Sequence, residues 1–420
     1  MTSRAWWMAT LLGASLSGCD DGSEAAAPDA AMLGGGSPDA TGLDAAGADA
    51  AADDGVDARA AQDVALADAA PDATAADAAP PAVDPAALDV QADGPFHVGY
   101  RTLEITYQPP GSTGPRALTV NVWYPTWSEQ GGPARYLGIQ LDHVVHTDAP
   151  PAPPAHVGGY PVLVYSHGDR GFGGDAAHLA RRLASHGWVM AAPDHTDNTL
   201  RDVDGEDHFA HYVHRPADLS ATLDALAGLP VEDALAGRLA TDHVIAAGHS
   251  RGTYTMWALA GAAFDLEAID ARCAAEAFEG PCDAADRAVF AAGLRDPRVV
   301  GVVPLAGGFR GTWYGEGGQD AVEAPVLWMT GTADPQGVGE IWPQFAGLDV
   351  VWVDIEGACH LSFTLGTCGT LPGPEGHAII EAYVLAFARH HLLGDASPAV
   401  TGLLDGRDLP SERAHLMHTR

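Results

Sequence analysis

The chain has 420 residues, a formal net charge of −35 and 47% apolar residues, which allows one large domain with appendages. Its 21 basic residues are all arginine, too few against the acid to build a basic stripe, so nucleic acid is excluded as a partner. The same acidity disfavours electrostatic docking on anionic lipid.

At the amino terminus, Arg4 precedes the apolar run Ala5–Leu16. The run is too short to span a bilayer as a helix but suits a secretory signal. It ends in Leu16-Ser17-Gly18-Cys19, which resembles the bacterial lipobox. That resemblance implies a lipoprotein signal over residues 1–19, lipidation of Cys19, export, and a membrane partner reached through the lipid anchor in the bacterial envelope. The alternative is an ordinary cleaved signal with an incidental cysteine. Residues 20–94 hold 16 Asp, one Glu, one Arg and no aromatic residue, so −16 of the charge lies here. Such a segment cannot offset the entropy of ordering itself, and it reads as a disordered tether.

A single ordered domain is expected over 95–420, with order beginning near Phe96. Arg101–Tyr107 and Ala117–Tyr124 are rich in β-branched and aromatic residues with a Pro-Gly-Ser-Thr-Gly turn region between them, and read as an antiparallel strand pair. A Pro, Gly and His-rich loop runs on to Tyr160. Val162–Ser166 is an apolar strand, and Asp175 is placed to cap a helix carrying Leu179 and Leu183. Trp188–Ala192 is the next strand. Pro216 suits the first turn of a helix carrying Leu219, Leu223 and Leu226. The strands His243–Ala247, Val299–Val303, Val326–Thr330 and Val350–Asp354 follow, and Glu375–His391 closes the chain as a helix. Continuous apolar strands separated by helices predict an α/β fold, with a mainly parallel sheet of about eight strands covered on both faces.

Gly248-His249-Ser250-Arg251-Gly252 fits G-x-S-x-G. An apolar strand leads in and a helix-forming run leads out, which is the strand–turn–helix setting that presents a nucleophilic serine. Serine needs a base. Of the 19 histidines, His360 is the one placed between the last strand and the closing helix. The base needs a carboxylate, and Asp334, after the strand Val326–Thr330, gives the order Ser, Asp, His. Asp354 and Glu356 read as structural. Oxyanion donors are expected from the backbone N–H groups of Arg251 and Asp169, the latter in the loop Ser166-His167-Gly168-Asp169. No Gly-Lys-Ser/Thr follows that glycine-rich loop, so it is not a phosphate loop.

The segments Val98–Pro125, Pro161–Gly168, Ala191–Thr199, Arg215–Leu226, Gly248–Gly252 and Gly357–Phe363 resemble the bacterial dienelactone-hydrolase-like esterases. These are relatives of the platelet-activating-factor acetylhydrolases and, more distantly, of the actinobacterial polyester hydrolases and cutinases. The resemblance runs from Val98 to Leu393. It implies an α/β-hydrolase fold and a serine carboxylic-ester hydrolase without cofactor. The chain departs from true dienelactone hydrolases, whose nucleophile is cysteine, by having Ser250. It departs from the acetylhydrolases, whose acid follows the sixth strand, because Pro304-Leu305-Ala306-Gly307-Gly308 contains no acid there. Asp334 matches the polyester-hydrolase arrangement.

Cys273, Cys282, Cys359 and Cys368 form an even set that favours disulfides in an exported protein, with three connectivities open. The pairs Cys273–Cys282 and Cys359–Cys368 are expected, the second closing the loop that carries His360. His208, His211 and His214 lie beside Asp202, Asp204 and Glu206, and read as a solvated acidic loop rather than a metal site. Trp123, Trp127, Trp313, Trp328 and Trp342 read as core ahead of an acyl pocket. The whole predicts a monomeric esterase acting on a small-molecule or lipid ester through an acyl-enzyme on Ser250. A catalytically silent scaffold serving as a surface binding lipoprotein, and a metal-dependent hydrolase built on the His208 cluster, are the alternatives.

Overall fold

The computed structural model describes residues 82–419 other than 203–207, 276, 279–281, 310 and 336–337. The signal segment, Cys19 and the tether up to residue 81 lie outside the described residues, as do Asp204 and Glu206.

All eight expected strands form, and three more extend the sheet to eleven. They are β1 (His97–Tyr107), β2 (Arg116–Thr126), β3 (Pro133–Tyr136), β4 (Gln140–Thr147), β5 (Tyr160–Ser166), β6 (Val189–Asp194), β7 (Leu239–His249), β8 (Val299–Leu305), β9 (Val326–Gly331), β10 (Val350–Ile355) and β11 (Ala414–His418). Their order is β11-β10-β9-β8-β7-β5-β6-β2-β1-β4-β3. The six strands from β10 to β6 in that order are parallel, and the antiparallel pair β1–β2 joins through β2–β6. The count of eight is corrected at the two edges. β3 and β4 arise inside the stretch read as a loop, where short alternating runs such as Ala134 and Tyr136 bury one face. β11 adds antiparallel to β10 from the C-terminal tail.

Helices cover both faces. On one, α1 (Ala177–Ser185) and α6 (Gly373–Leu393), with α7 (Pro398–Leu404) beside α6, pack over Leu163, Tyr165, Ile245 and Leu327. On the other, α2 (Ala210–Ala227) and α3 (Arg251–Ala260) pack over Val162, Val164, Val244 and Ala246. Adjacent residues of β5 and β7 thus face opposite cores, which is why these strands are apolar throughout. Within the stretch between α3 and β8 lie α4 (Leu266–Ala274) and α5 (Ala284–Ala292). Cys273 and Cys282 are bonded there, and Cys359 and Cys368 are bonded in the His360 loop, with Cα separations of 5.8 and 5.7 Å.

Three local expectations are corrected. Order begins before Phe96, within the segment read as tether. Asp84 caps a turn at Pro85–Ala87, Val90 is buried in the core, and the Gly94 amide donates to Ser185 Oγ (2.9 Å). Arg389 of α6 holds this segment by donating to the Leu88 and Ala86 carbonyls (2.7 and 3.0 Å). Composition alone misses these anchors, because one apolar side chain and two backbone carbonyls suffice.

Asp175 does not cap α1. It lies in the preceding turn Gly173–Ala176 and accepts from the Tyr165 hydroxyl (2.8 Å). Burial pushes its pKa up to about 7.

Pro216 sits inside α2 rather than in its first turn. A mid-helix proline frees the carbonyl four residues back, here that of Tyr212. The Tyr254 hydroxyl of α3 donates to it (2.8 Å), so the vacancy is filled from the neighbouring helix.

Candidate active site

The carboxyl ends of β5, β6, β7 and β8 lead into four strained positions. Arg170, Asp197, Ser250 and Ala306 have φ of 56°, 66°, 53° and 49°. Such backbone costs on the order of 1–3 kcal/mol per residue and persists only where the surroundings enforce it, commonly at functional sites. This edge of a parallel sheet is also where open α/β proteins bind ligands.

Ser250 stands in the turn between β7 and α3. Its amide donates to the Leu305 carbonyl (2.9 Å), and the Thr253 hydroxyl donates to its own carbonyl (2.8 Å). A Cβ at Gly252 would collide with the Ser166 carbonyl, and one at Gly248 would lie 2.5 Å from the Gly252 carbonyl oxygen. The motif's glycines are therefore steric requirements of the turn.

His360 opens a short turn, His360–Phe363. Its Nε2 lies 2.8 Å from Ser250 Oγ, and its Nδ1 lies 2.8 Å from Asp334 Oδ2. The Asp334 side chain is 2% exposed and that of His360 is 23% exposed. A buried carboxylate at Nδ1 keeps the proton there and leaves the Nε2 lone pair for the serine hydroxyl. Asp354 accepts instead from the Thr330 hydroxyl (2.7 Å), and Glu356 pairs at the surface with Arg413 and His415. Both are placed as structural groups.

The expected oxyanion residues are brought to the same place. Gly168 packs on Ser250: a Cβ there would lie 3.3 Å from Ser250 Cβ. Arg251 is the first residue of α3, so its amide is at the positive end of the helix. The side chains of the two residues meet as well, Arg251 Nε lying 3.1 Å from Asp169 Oδ1. Asp169 also accepts from Asn198 Nδ2 (2.8 Å). Burial would raise its pKa, but Arg251, Asn198 and Arg215 outweigh burial and hold the carboxyl below its usual range.

Sequence reasoning missed what lies beneath. Arg215 is fully buried, and donates to Asn198 Oδ1 (2.6 Å), Ser166 Oγ (3.3 Å) and the His167 carbonyl. Ser166 Oγ lies 3.0 Å from His195 Nε2, and His195 Nδ1 lies 2.8 Å from Asp218 Oδ2. This repeats the Ser250–His360–Asp334 chain atom for atom, yet all three residues are 0% exposed. No substrate reaches it. Burial and the Arg215 charge push the His195 pKa down to about 3, so the imidazole stays neutral. Asp218 is further tied to Arg116 (2.8 Å) and Tyr107 (2.6 Å). His249 was missed too, and its Nε2 lies 2.8 Å from the His360 carbonyl oxygen. The motif treats that position as free, so no signal in one sequence points to it.

The weaker signals resolve as follows. Among the described residues, no group of three His, Cys, Asp or Glu side chains is placed to hold a metal. His208 and His211 touch each other, with ring centroids 5.1 Å apart, whereas His214 lies toward Arg116 and Asp218. Trp123, Trp313 and Trp328 are fully buried, Trp342 stacks on Trp328, and Trp127 packs on Phe96. The first three are core positions, whereas Trp127 and Trp342 are partly buried.

A family model described as chlorophyllase matches residues 138–275, a stretch that includes Ser250 and ends before Asp334 and His360. No curated protein matches the chain. Among solved structures, the ferulic acid esterase from Streptomyces cinnamoneus superposes with a TM-score of 0.54 at 23% identity, over 77% of this chain and 96% of that one. The fold is the α/β-hydrolase fold. At that identity the structural match shows the fold, and the family match covers about a third of the chain. The α/β-hydrolase fold hosts many chemistries, so the substrate has to be argued from the site.

Proposed function

We propose that this α/β-hydrolase is a serine carboxylic-ester hydrolase working through an acyl-enzyme on Ser250. One observation carries the reading: a continuous hydrogen-bonded chain from Ser250 Oγ through His360 to the buried Asp334 carboxylate, at the strained carboxyl edge of the sheet. His360 Nε2 takes the serine proton as Oγ bonds to the ester carbonyl carbon. The oxyanion faces the backbone N–H groups of Arg251 and Asp169. As the C–O bond to the alcohol breaks, His360 returns the proton to the leaving oxygen. Water then attacks the acyl-enzyme, with His360 again as base, and releases the acid. The substrate class is a small or lipid-like ester. The two disulfides and the lipobox fit a protein exported to the bacterial envelope and held there by a lipid on Cys19.

The test is turnover of p-nitrophenyl esters of graded chain length, with labelling by a serine-directed phosphonate. Ser250→Ala is expected to abolish both while the domain stays folded. Persistent labelling in that variant would remove Ser250 from its role.

A further inference from the structure

The residues whose backbone amides flank Ser250 are also joined through their side chains, and that contact spans two elements. Asp169 lies in the loop after β5, and Arg251 opens α3. Their side chains are 34% and 12% exposed, so the pair sits at the lip of the site rather than in bulk solvent.

An aspartate is an awkward residue at this point. Its backbone N–H could come from any non-proline residue, whereas its carboxylate puts a negative charge beside the place where ester attack develops another. Two like charges about 6 Å apart at an effective dielectric of about 20 slow such a step roughly 100-fold. The carboxylate does fix the loop. It accepts from Asn198 (2.8 Å), and Asn198 accepts from Arg215 (2.6 Å), which also donates to the His167 carbonyl. The peptide from His167 to Asp169 is thereby tied to a fully buried cation. Arg251 supplies the compensating charge, with its Nε 3.1 Å from Asp169 and its guanidinium carbon 5.3 Å from the centre of the Tyr212 ring.

We propose that Asp169 and Arg251 form a charge-compensated clamp across the oxyanion site: Asp169 positions the loop, and Arg251 cancels the charge that this positioning brings. Both are positioning residues through their side chains. This rests on the esterase reading above. The clamp makes a prediction of sign that a merely structural ion pair does not. Removing Arg251 leaves an uncompensated carboxylate, and removing that carboxylate as well should restore activity although no contact is regained.

The experiment is a double-mutant cycle on kcat and KM with a p-nitrophenyl ester, with the rate of phosphonate labelling as a second readout and melting temperature as the check on folding. Arg251→Met should lower kcat by about 10–100-fold with KM little changed. Asp169→Asn should cost only a few-fold, and the double variant should recover most of what Arg251→Met loses. Should Arg251→Met not fold, Arg251→Lys and Arg251→Gln replace it: the first should keep most of kcat and the second should lose it. A double variant no faster than Arg251→Met, or Lys and Gln variants of equal activity, overturns the clamp and leaves the esterase reading standing. Absence of turnover and labelling in the unaltered protein removes the esterase reading and the clamp with it.

Discussion

His249 Nε2 lies 2.8 Å from the carbonyl oxygen of His360, so the residue just before Ser250 holds the backbone of the residue that touches Ser250 from the other side. Burial and the neighbouring His360 push the His249 pKa down to about 3. Its ring is therefore neutral at working pH, with a proton on Nε2 to donate. His249→Phe fills the space without the donor and should lower kcat roughly tenfold, since misplacing a base by a fraction of an ångström is costly. His249→Gln, which keeps a donor, should lose less. Equal kcat in both variants and the unaltered enzyme would show that the bond positions nothing.

The Cys359–Cys368 bond closes a loop that begins beside His360. Chain-entropy arguments give such a loop about 2–3 kcal/mol. Cys368→Ser should therefore lower the melting temperature, and should also lower activity well below that temperature, because a loosened base meets Ser250 less often. Turnover unchanged at 25 °C would confine the bond to global stability.

The segment before β1 gives a prediction by truncation. A chain beginning at Ala82 retains Val90 in the core and the two carbonyls held by Arg389. One beginning at Phe96 loses both, and leaves a buried guanidinium short of acceptors. The loss is at least about 2 kcal/mol, a fall in melting temperature of roughly 2–4 °C for a domain of this size. Equal melting curves would show that the segment does not contribute.

Buried histidines make the fold acid-sensitive. Burial lowers the pKa of His186, His377 and His391 to about 4 and of His195 and His249 to about 3, and lowers that of His167 as well. Their unfolded value is about 6.5, so below it the unfolded chain binds more protons at these sites. The stability they contribute is complete above pH 6.5 and is lost as pH falls toward 3–4. Burial raises Asp175 to about 7 and Asp194 to about 6; both take up protons in the folded state and oppose the trend in the same window. Six sites outweigh two, and each net proton is worth about 1.4 kcal/mol per pH unit. The melting temperature should fall between pH 7 and pH 4.5. A flat or rising curve would contradict this account.

The fold and the candidate Ser–His–Asp chain were legible because periodicity and chain order carry them. β5 and β7 are apolar at every position that meets a helix layer, and Ser250, Asp334 and His360 each follow a strand that the pattern marks. What was not legible depends on contacts between distant segments. Nothing in the local pattern marks Arg215 and Asp218 as buried; that follows only when β2 and the end of β6 bring Arg116 and His195 onto Asp218. Val90 reads as an isolated apolar residue in an acidic stretch. The placement of Pro216 fails for a related reason: the hydrogen bond that tolerates it comes from Tyr254, on a different helix.

The chain builds the Ser–His–Asp arrangement twice, and the inner copy shows what the arrangement lacks by itself. Ser166, His195 and Asp218 are spaced like Ser250, His360 and Asp334, but they sit where no carbonyl carbon or water can arrive. Burial, with the Arg215 charge added to it, pushes the His195 pKa down to about 3, which makes it a poor acceptor for a hydroxyl proton. A search by three-residue geometry would therefore find two nucleophiles in one domain, while a phosphonate should find one and label to a stoichiometry of one per chain. The difference between a structural strut and the proposed nucleophile is set by burial first and by the arginine charge second, not by the three residues.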